Sequence, residues 1–311
     1  MFHVTCVGGD LRQLYLAQIL ISAGHSVRIL GISQEDCQNL TACDTFCSKC
    51  RQIDFYPCDK VQEAVSDSDL ILGPIPLTTN GTDITCSYPH FQLSLEELLS
   101  CLTPAQYLIA GMIPSFVEQR LSRQNINSYD YLKNASFARL NAIATAEGAI
   151  SYAVEHSTGN LHLSQVLILG YGTCGSLLAE KCKGMNAHVT VTGRREETRA
   201  LAVSSGFQYR ELQEPDFART LEQYNYIFNT IPDVVLDKSL LSHVSAECTI
   251  VDIASAPGGL DYQYADSHGL NTFLYLGIPG KIAPKASAQI LYDIILNRLK
   301  ERSPLYVPQS F

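Results

Sequence analysis

Nine short apolar runs punctuate the chain: His3 to Val7, Val27 to Leu30, Leu70 to Leu72 and Tyr107 to Ala110, then Val166 to Leu169, Val189 to Val191, Tyr226 to Phe228, Ile250 to Ile253 and Phe273 to Tyr275. Most are followed by a turn with glycine or a small residue and then by a helical pattern of roughly a dozen residues. Continuous apolar strands separated by helices are what a parallel sheet covered on both faces requires, because each strand buries both of its sides. The pattern therefore predicts an α/β fold. It starts twice, at VTCVGGD and again at QVLILGYGTCG, and two sheets account for it more economically than one nine-stranded sheet. The expected architecture is two doubly wound, Rossmann-like domains with a cleft between them.

The expected boundaries follow the same rhythm. Residues 1–140 form an N-terminal substrate-side domain and residues 159–284 a cofactor domain. Between them, residues 141–158 include NAIATAEGAISYAVEHS, whose small and apolar residues at helical spacing suit a linking helix. Residues 285–311 are a last helix, KASAQILYDIILNRL, and a tail. That helix can cross back to the first domain and make it discontinuous.

Composition narrows the function classes. Apolar residues are 46% and charged residues 17% of the 311, enough to bury a core and offset ordering entropy. Thirty-one acidic against 22 basic side chains give −9, which opposes non-specific attraction to nucleic acid and to anionic lipid. No apolar run approaches the roughly 20 residues of a membrane-spanning helix. MFHVTCVGGD has neither a basic region nor an apolar core of signal length, so a cytoplasmic protein is expected. Eleven cysteines, an odd number, read as buried thiols rather than a disulfide framework. Cys43, Cys47 and Cys50 form a CxxxCxxC spacing with Cys37 and Cys58 nearby. Such thiolates hold an iron–sulfur cluster or most of a zinc site, or else they are incidental thiols of a surface insertion. The second reading is preferred, and no metal is expected.

The main chemical signal is Gly170-Tyr171-Gly172-Thr173-Cys174-Gly175, with a strand before it and a helical pattern after it. In a dinucleotide fingerprint the glycines allow a tight turn, close approach of backbone to a pyrophosphate, and close packing of helix on strand. About twenty residues on, where an NAD site places an acid against the ribose, the chain has Thr192-Gly193-Arg194-Arg195. Arg194 and Arg195 suit a 2′-phosphate and favour NADP, with NAD possible. The alternative is that they begin a solvated helix and pair with Glu196 or Glu197. Asn229, Thr230 and Pro232, then Ala254 and Ser255 after Asp252, and Pro279 after Gly277 all follow later strands. They read as a cofactor-facing wall, or individually as ordinary turns.

In the first domain, Gly8-Gly9-Asp10-Leu11-Arg12 opens a helix without the full three-glycine pattern, so a small substrate is expected there rather than a second dinucleotide. Arg12 can bind a carboxylate bidentately with Asp10 orienting it, or Asp10 only caps the helix and Arg12 is exposed.

Six blocks, VGGDLRQL, NAIATAEGAI, SQVLILGYGTCG, FNTIP, VDIASAPGGLDY and GIPGKIAPKASAQIL, run in order from residue 7 to about residue 291 and resemble the dipicolinate synthase A-subunit family of spore-forming bacteria. The cysteine-rich segment 37–58 departs from that pattern. The resemblance implies an NAD(P)-dependent dehydrogenase that oxidises a dihydrodipicolinate-type intermediate of the lysine pathway to dipicolinate. It also implies a partner, the flavoprotein-like B subunit, together with the mother-cell cytoplasm of a sporulating bacterium; from charge and hydropathy no nucleic-acid or membrane partner is expected, and a homo-oligomer stays open.

For a dianionic substrate the candidate binding residues are Asp10, Arg12, Thr78, Thr79, Lys281, Lys285, and Asn141 and Thr145 at the start of the linking helix, the last two alternatively bonding the nicotinamide amide or capping the helix. Glu147 and Asp252 are the candidate bases, although proton loss to water is an alternative, as are structural roles for both acids. Two other readings are kept: an NADPH-dependent dehydrogenase of another small hydroxy or imino acid, and a module that senses NADP without turning it over.

Overall fold

The computed structural model describes residues 1–32, 52–88 and 91–302. The chain divides into two units, Met1–Ala138 with Ala283–Phe311, and Arg139–Ile282.

The first unit opens with β1 (His3–Val7), α1 (Leu11–Ser22) and β2 (Ser26–Leu30), then β3 (Ile53–Tyr56), α2 (Val61–Val65) and β4 (Leu70–Leu72). It continues through α3 (Leu95–Cys101), β5 (Tyr107–Ala110), α4 (Ser115–Arg123) and β6 (Asn127–Asp130). The six strands are parallel in the order β3-β2-β1-β4-β5-β6. β1 is central, Val4 standing opposite Val27 on one side and Leu70 on the other. One face packs Leu14, Ala17 and Leu20 of α1 with Ala288, Leu291 and Ile295 of the C-terminal helix Pro284–Arg302. The other face packs Val61, Leu98, Val117 and Leu121.

A single helix, α5 (Ala135–Glu155), follows. It starts six residues before the expected Asn141, because the Asn134 carboxamide oxygen accepts the Phe137 N–H at 3.0 Å and caps the helix. The division between the two units falls inside it, between Ala138 and Arg139.

The second unit adds β7 (Gln165–Leu169), α6 (Thr173–Gly184), β8 (His188–Thr192), α7 (Glu196–Ser204), β9 (Gln208–Arg210), β10 (Tyr226–Asn229), β11 (Thr249–Asp252), α8 (Tyr262–Ser267) and β12 (Asn271–Leu274). Its parallel order is β12-β11-β10-β7-β8-β9. Counted from the start of each unit, both sheets run 3-2-1-4-5-6, the doubly wound order, with the switch points between β1 and β4 and between β7 and β10. The expected fold class is therefore the observed one.

The strands missed by the periodicity, β3, β6 and β9, each lie at a sheet edge. Their sequences IDFY, NSYD and QYR are half exposed and carry no apolar run. β12, another edge, begins two residues earlier than expected for the same reason. No helix of the described residues is long and apolar enough to cross a membrane.

Candidate nucleotide and carboxylate sites

In the second unit the chain leaves β7 through Gly170, whose φ of +93° is a left-handed conformation open to glycine. A Cβ on Gly175 would lie 2.1 Å from the Gly170 carbonyl oxygen, so the helix can sit this close to the turn only with glycine there. Around Gly172 nothing lies within 4 Å of where a Cβ would be. α6 starts at Thr173 without a side-chain cap, and its first internal bond runs from Ser176 N–H to the Gly172 carbonyl at 2.9 Å. The N–H groups of Thr173, Cys174 and Gly175 thus belong to the orphan donors of a helix start, beside a backbone that a phosphate can approach. The residues present fit a dinucleotide pyrophosphate. Cys174 is half-buried and its thiol pKa is pushed up by that burial, so it contributes backbone rather than a thiolate.

Thr192 turns inward. It is fully buried and its hydroxyl accepts the Gly170 N–H at 3.1 Å, so this residue, expected to bind the cofactor, braces the glycine turn from beneath. Arg194 and Arg195 are exposed at the end of β8. Neither pairs with Glu196 or Glu197; Arg194 stands 3.5 Å from Asp233, a weak exposed pair. Arg195 precedes α7 and lines an open depression of about 490 Å3 with Glu196, Glu197 and Ala200.

The wall residues have different tasks. Asn229 is fully buried; its carboxamide donates to the Ile231 carbonyl and to Asp252 and accepts the Ile231 N–H. Its ligand role is corrected on that ground. Thr230 donates to the Leu169 carbonyl at 2.9 Å and lies beneath the glycine turn, where a Cβ on Gly170 would meet its hydroxyl at 2.5 Å. Ala254 and Pro279 are buried, whereas Pro232 and Ser255 are exposed. Asp252 is fully buried and accepts from Asn229 Nδ2 (2.9 Å), Ala254 N–H (2.9 Å), Gly259 N–H (2.6 Å) and Tyr262 Oη (2.7 Å). A carboxylate so occupied has no lone pair left for a substrate proton; it anchors the turn 254–259 and is not a base.

The corresponding turn of the first unit is different. Gly8 and Gly9 have φ of +56° and +90°, but the chain folds back over them. Gly9 N–H donates to the Thr85 carbonyl at 2.9 Å, Ser87 N–H donates to the Gly9 carbonyl at 2.8 Å, and Gly9 bridges Cys86. A Cβ on Gly9 would meet Gln13 Cγ at 2.4 Å, and the Gln13 amide is bonded inward to the Leu72 carbonyl at 2.9 Å.

Asp10 caps α1 by accepting Arg12 N–H and also takes the guanidinium, Nε at 2.9 Å and Nη2 at 2.7 Å. Arg12 is 6% exposed and its Nη2 also reaches the Ile75 carbonyl at 3.3 Å. The bidentate edge expected for a substrate carboxylate is therefore held by Asp10, and Nη1 is the nitrogen without a bond to a described residue. Thr78 is buried and accepts the Gly81 N–H at 2.9 Å, whereas Thr79 is exposed. Sequence reasoning missed Asp130, which is buried and accepts the N–H groups of Met112, Ile113 and Leu132. It fixes Met112 at the end of β5 with φ of +52°.

On α5, Asn141 lies within the helix and does not cap it. Its side-chain oxygen is buried with no donor among the described residues. Thr145 donates to the Asn141 carbonyl at 3.2 Å. Glu147, a candidate base, is mid-helix and exposed and pairs with Lys181 of α6 at 2.8 Å. Lys281 lies 4.8 Å from the Tyr275 ring centroid, and Lys285 is exposed at the start of the C-terminal helix. Another residue missed is Arg139, which donates to the Ser176 hydroxyl of α6 at 3.2 Å. The Asn-x-x-Phe cap at Asn134 was the signal that put it on the helix. Cys37, Cys43, Cys47 and Cys50 lie outside the described residues; among the described ones no group of metal-binding side chains occurs.

The family pattern for the N-terminal domain of the dipicolinate synthase A subunit matches residues 3–132. Over 302 residues the chain is 28% identical to the dipicolinate synthase A subunit of Bacillus subtilis strain 168, covering 96% of both proteins. The crystal structure of the dipicolinate synthase A subunit from Bacillus halodurans is 26% identical with a TM-score of 0.80, covering 96% of this chain and 97% of that one. The crystal structure of the Bacillus subtilis protein is 25% identical with a TM-score of 0.79, covering 98% of each. The resemblance carried by the six sequence blocks is thereby borne out, and this chain is a relative of the dipicolinate synthase A subunits along nearly its whole length.

Proposed function

We propose that this chain is the dehydrogenase component of a dipicolinate synthase, oxidising a dihydrodipicolinate-type dicarboxylate to dipicolinate with NAD(P)+. The observation that carries the reading is the open glycine turn after β7, with Gly172 facing empty space, in a chain related to the dipicolinate synthases. The Thr173, Cys174 and Gly175 N–H groups hold the pyrophosphate, with Gly170 and Gly172 shaping the approach. Arg194 and Arg195 take a 2′-phosphate, so NADP is the preferred form. The nicotinamide, when bound, accepts the hydride.

The chain's own work is binding and orientation. In the first unit Arg12 Nη1, Thr78, Thr79 and Lys285 are the donors for the substrate's two carboxylates. In the second unit the orphan Asn141 oxygen accepts from an N–H donor such as the nicotinamide carboxamide, with Thr145 one turn on. Neither Asp252, which is saturated, nor Glu147, which is ion-paired, is assigned as base. The ring proton leaves to water as the ring becomes aromatic. The partner is the B subunit, and the setting is the cytoplasm.

The test mixes purified chain with B subunit, NADP+ and freshly generated dihydrodipicolinate, and follows NADPH absorbance together with dipicolinate by chromatography. Both should rise in equal amounts. NADP+ binding without any turnover would sink the dehydrogenase and leave the nucleotide-sensing alternative.

A further inference from the structure

Several cations of the second unit, Arg139, Arg195 and Arg199 among them, make no ion pair among the described residues, and Arg139 differs from the others in being bonded to the first turn of α6. Lys181 is paired with Glu147, Arg194 with Asp233, and Arg210 with Glu214. Arg139 is exposed, and its one bond to a described residue is to a neutral hydroxyl, Ser176 Oγ, at 3.2 Å from Nη1. No carboxylate among the described residues pairs with it.

The place of that hydroxyl matters. Ser176 is buried in the first turn of α6, and its own Oγ is turned toward the Thr173 carbonyl at 3.2 Å. Residues three and four apart share a helix face, so Ser176 lies on the same face as Thr173 and Gly172. Gly172, where the chain enters that first turn, meets no atom within 4 Å of where its Cβ would be. A guanidinium with no anion of its own is therefore held about one helical turn from the open approach to three orphan N–H groups. In a chain of net charge −9, a dinucleotide carrying two or more phosphate charges gains from a local cation that offsets the surrounding field.

We propose that Arg139 binds the cofactor pyrophosphate, opposite the N–H groups of α6, and that Ser176 holds its guanidinium in position for this. The inference rests on the reading of the β7–α6 turn as a dinucleotide site. It assigns to α5 a role in cofactor binding that the glycine turn alone does not supply. Arginine suits it because its planar fork can keep one N–H on Ser176 while presenting others to phosphate oxygens.

The experiment measures equilibrium binding of two probes by calorimetry, on the full chain and on Arg139→Gln and Arg139→Lys. ADP-ribose contains the pyrophosphate and lacks the nicotinamide; adenosine 2′-monophosphate lacks the pyrophosphate. Arg139→Gln should weaken ADP-ribose by about tenfold and leave adenosine 2′-monophosphate unchanged, with Arg139→Lys recovering part of the loss. The difference should shrink at high salt, because the contact is exposed. Equal ADP-ribose affinity in wild type and Arg139→Gln overturns the proposal and leaves the dinucleotide site standing. Equal losses for both probes overturn it as a distortion of the unit. A wild-type chain that binds neither ADP-ribose nor NADP+ overturns the site reading and the proposal together.

Discussion

The turn after β1 and the turn after β7 occupy equivalent places in two sheets of identical strand order. Each follows a buried strand and opens a twelve-residue helix, and positive φ falls on two glycines of the first turn, Gly8 and Gly9, and on one of the second, Gly170. In the first unit the backbone polar groups of the turn are already used: Gly9 gives its N–H to Thr85 and its carbonyl to Ser87, while the Asp10 side chain takes the Arg12 N–H. In the second unit the glycine nearest the helix start faces empty space, and the first N–H groups have no side-chain cap. Strand order and glycine content do not separate these cases. What separates them is whether the chain satisfies its own helix start, as Asp10 does, or leaves it for a ligand.

The contrast is broken most severely at Gly175. Alanine there would place a Cβ 2.1 Å from a backbone oxygen, which no side-chain movement relieves. Gly175→Ala should cost about 3 kcal/mol of stability and abolish nucleotide binding, read by urea denaturation and by calorimetry with NADP+. A stable variant that still binds would show that close helix–strand packing is not what shapes the turn.

Next in size is Asp252→Asn. The buried carboxylate accepts four hydrogen bonds, and an amide nitrogen would face donors where an acceptor stood. The expected loss is about 2 kcal/mol, measured by urea denaturation. The first unit has a buried counterpart in Asp130, which accepts three backbone N–H groups, so Asp130→Asn should cost a comparable amount. The pair thus tests whether the two units brace their strand ends alike even where their turns differ.

A third comparison sets Gly172→Ala against Gly9→Ala. Gly172 has φ of −87° and open space around it, so alanine should change stability by less than about 0.5 kcal/mol. The same methyl group would occupy the approach of the phosphate and lower NADP+ affinity by about tenfold. Gly9 has φ of +90° and its Cβ would lie 2.4 Å from Gln13 Cγ, so alanine should cost about 2 kcal/mol of stability through backbone strain and overpacking and leave NADP+ affinity unchanged. The reverse pattern would mean that the nucleotide belongs to the first unit.

How far the sequence revealed this arrangement depends on how local each feature is. Strands with VLIL or YLIA announce themselves because both faces are buried. Edge strands such as NSYD and QYR are half exposed and read as loops. The glycine turn after β7 was legible because six consecutive residues encode it. Closure of the Gly8-Gly9 turn was not, since it depends on residues 85–87 returning from far along the chain. Asp252 and Asn229 were visible as polar residues at strand ends, but only the packed structure shows that they spend their hydrogen bonds on each other and on backbone.

The smallest effect is expected where α5 and α6 meet a second time. Arg139 reaches Ser176 at the start of α6, and Glu147, two helical turns along α5, reaches Lys181. The second contact is exposed, with side-chain accessibilities of 53% for Glu147 and 30% for Lys181, and such pairs contribute roughly 0.2 to 1 kcal/mol. Lys181 lies beyond the first turn of α6, where a phosphate on the orphan N–H groups would not touch it. Glu147→Gln should therefore shift stability by less than about 0.5 kcal/mol and leave ADP-ribose affinity and turnover at wild-type values. If turnover falls while ADP-ribose binding and the urea midpoint hold, Glu147 handles a proton after all, and the distinction between the two ends of α5 lies in chemistry rather than in nucleotide binding.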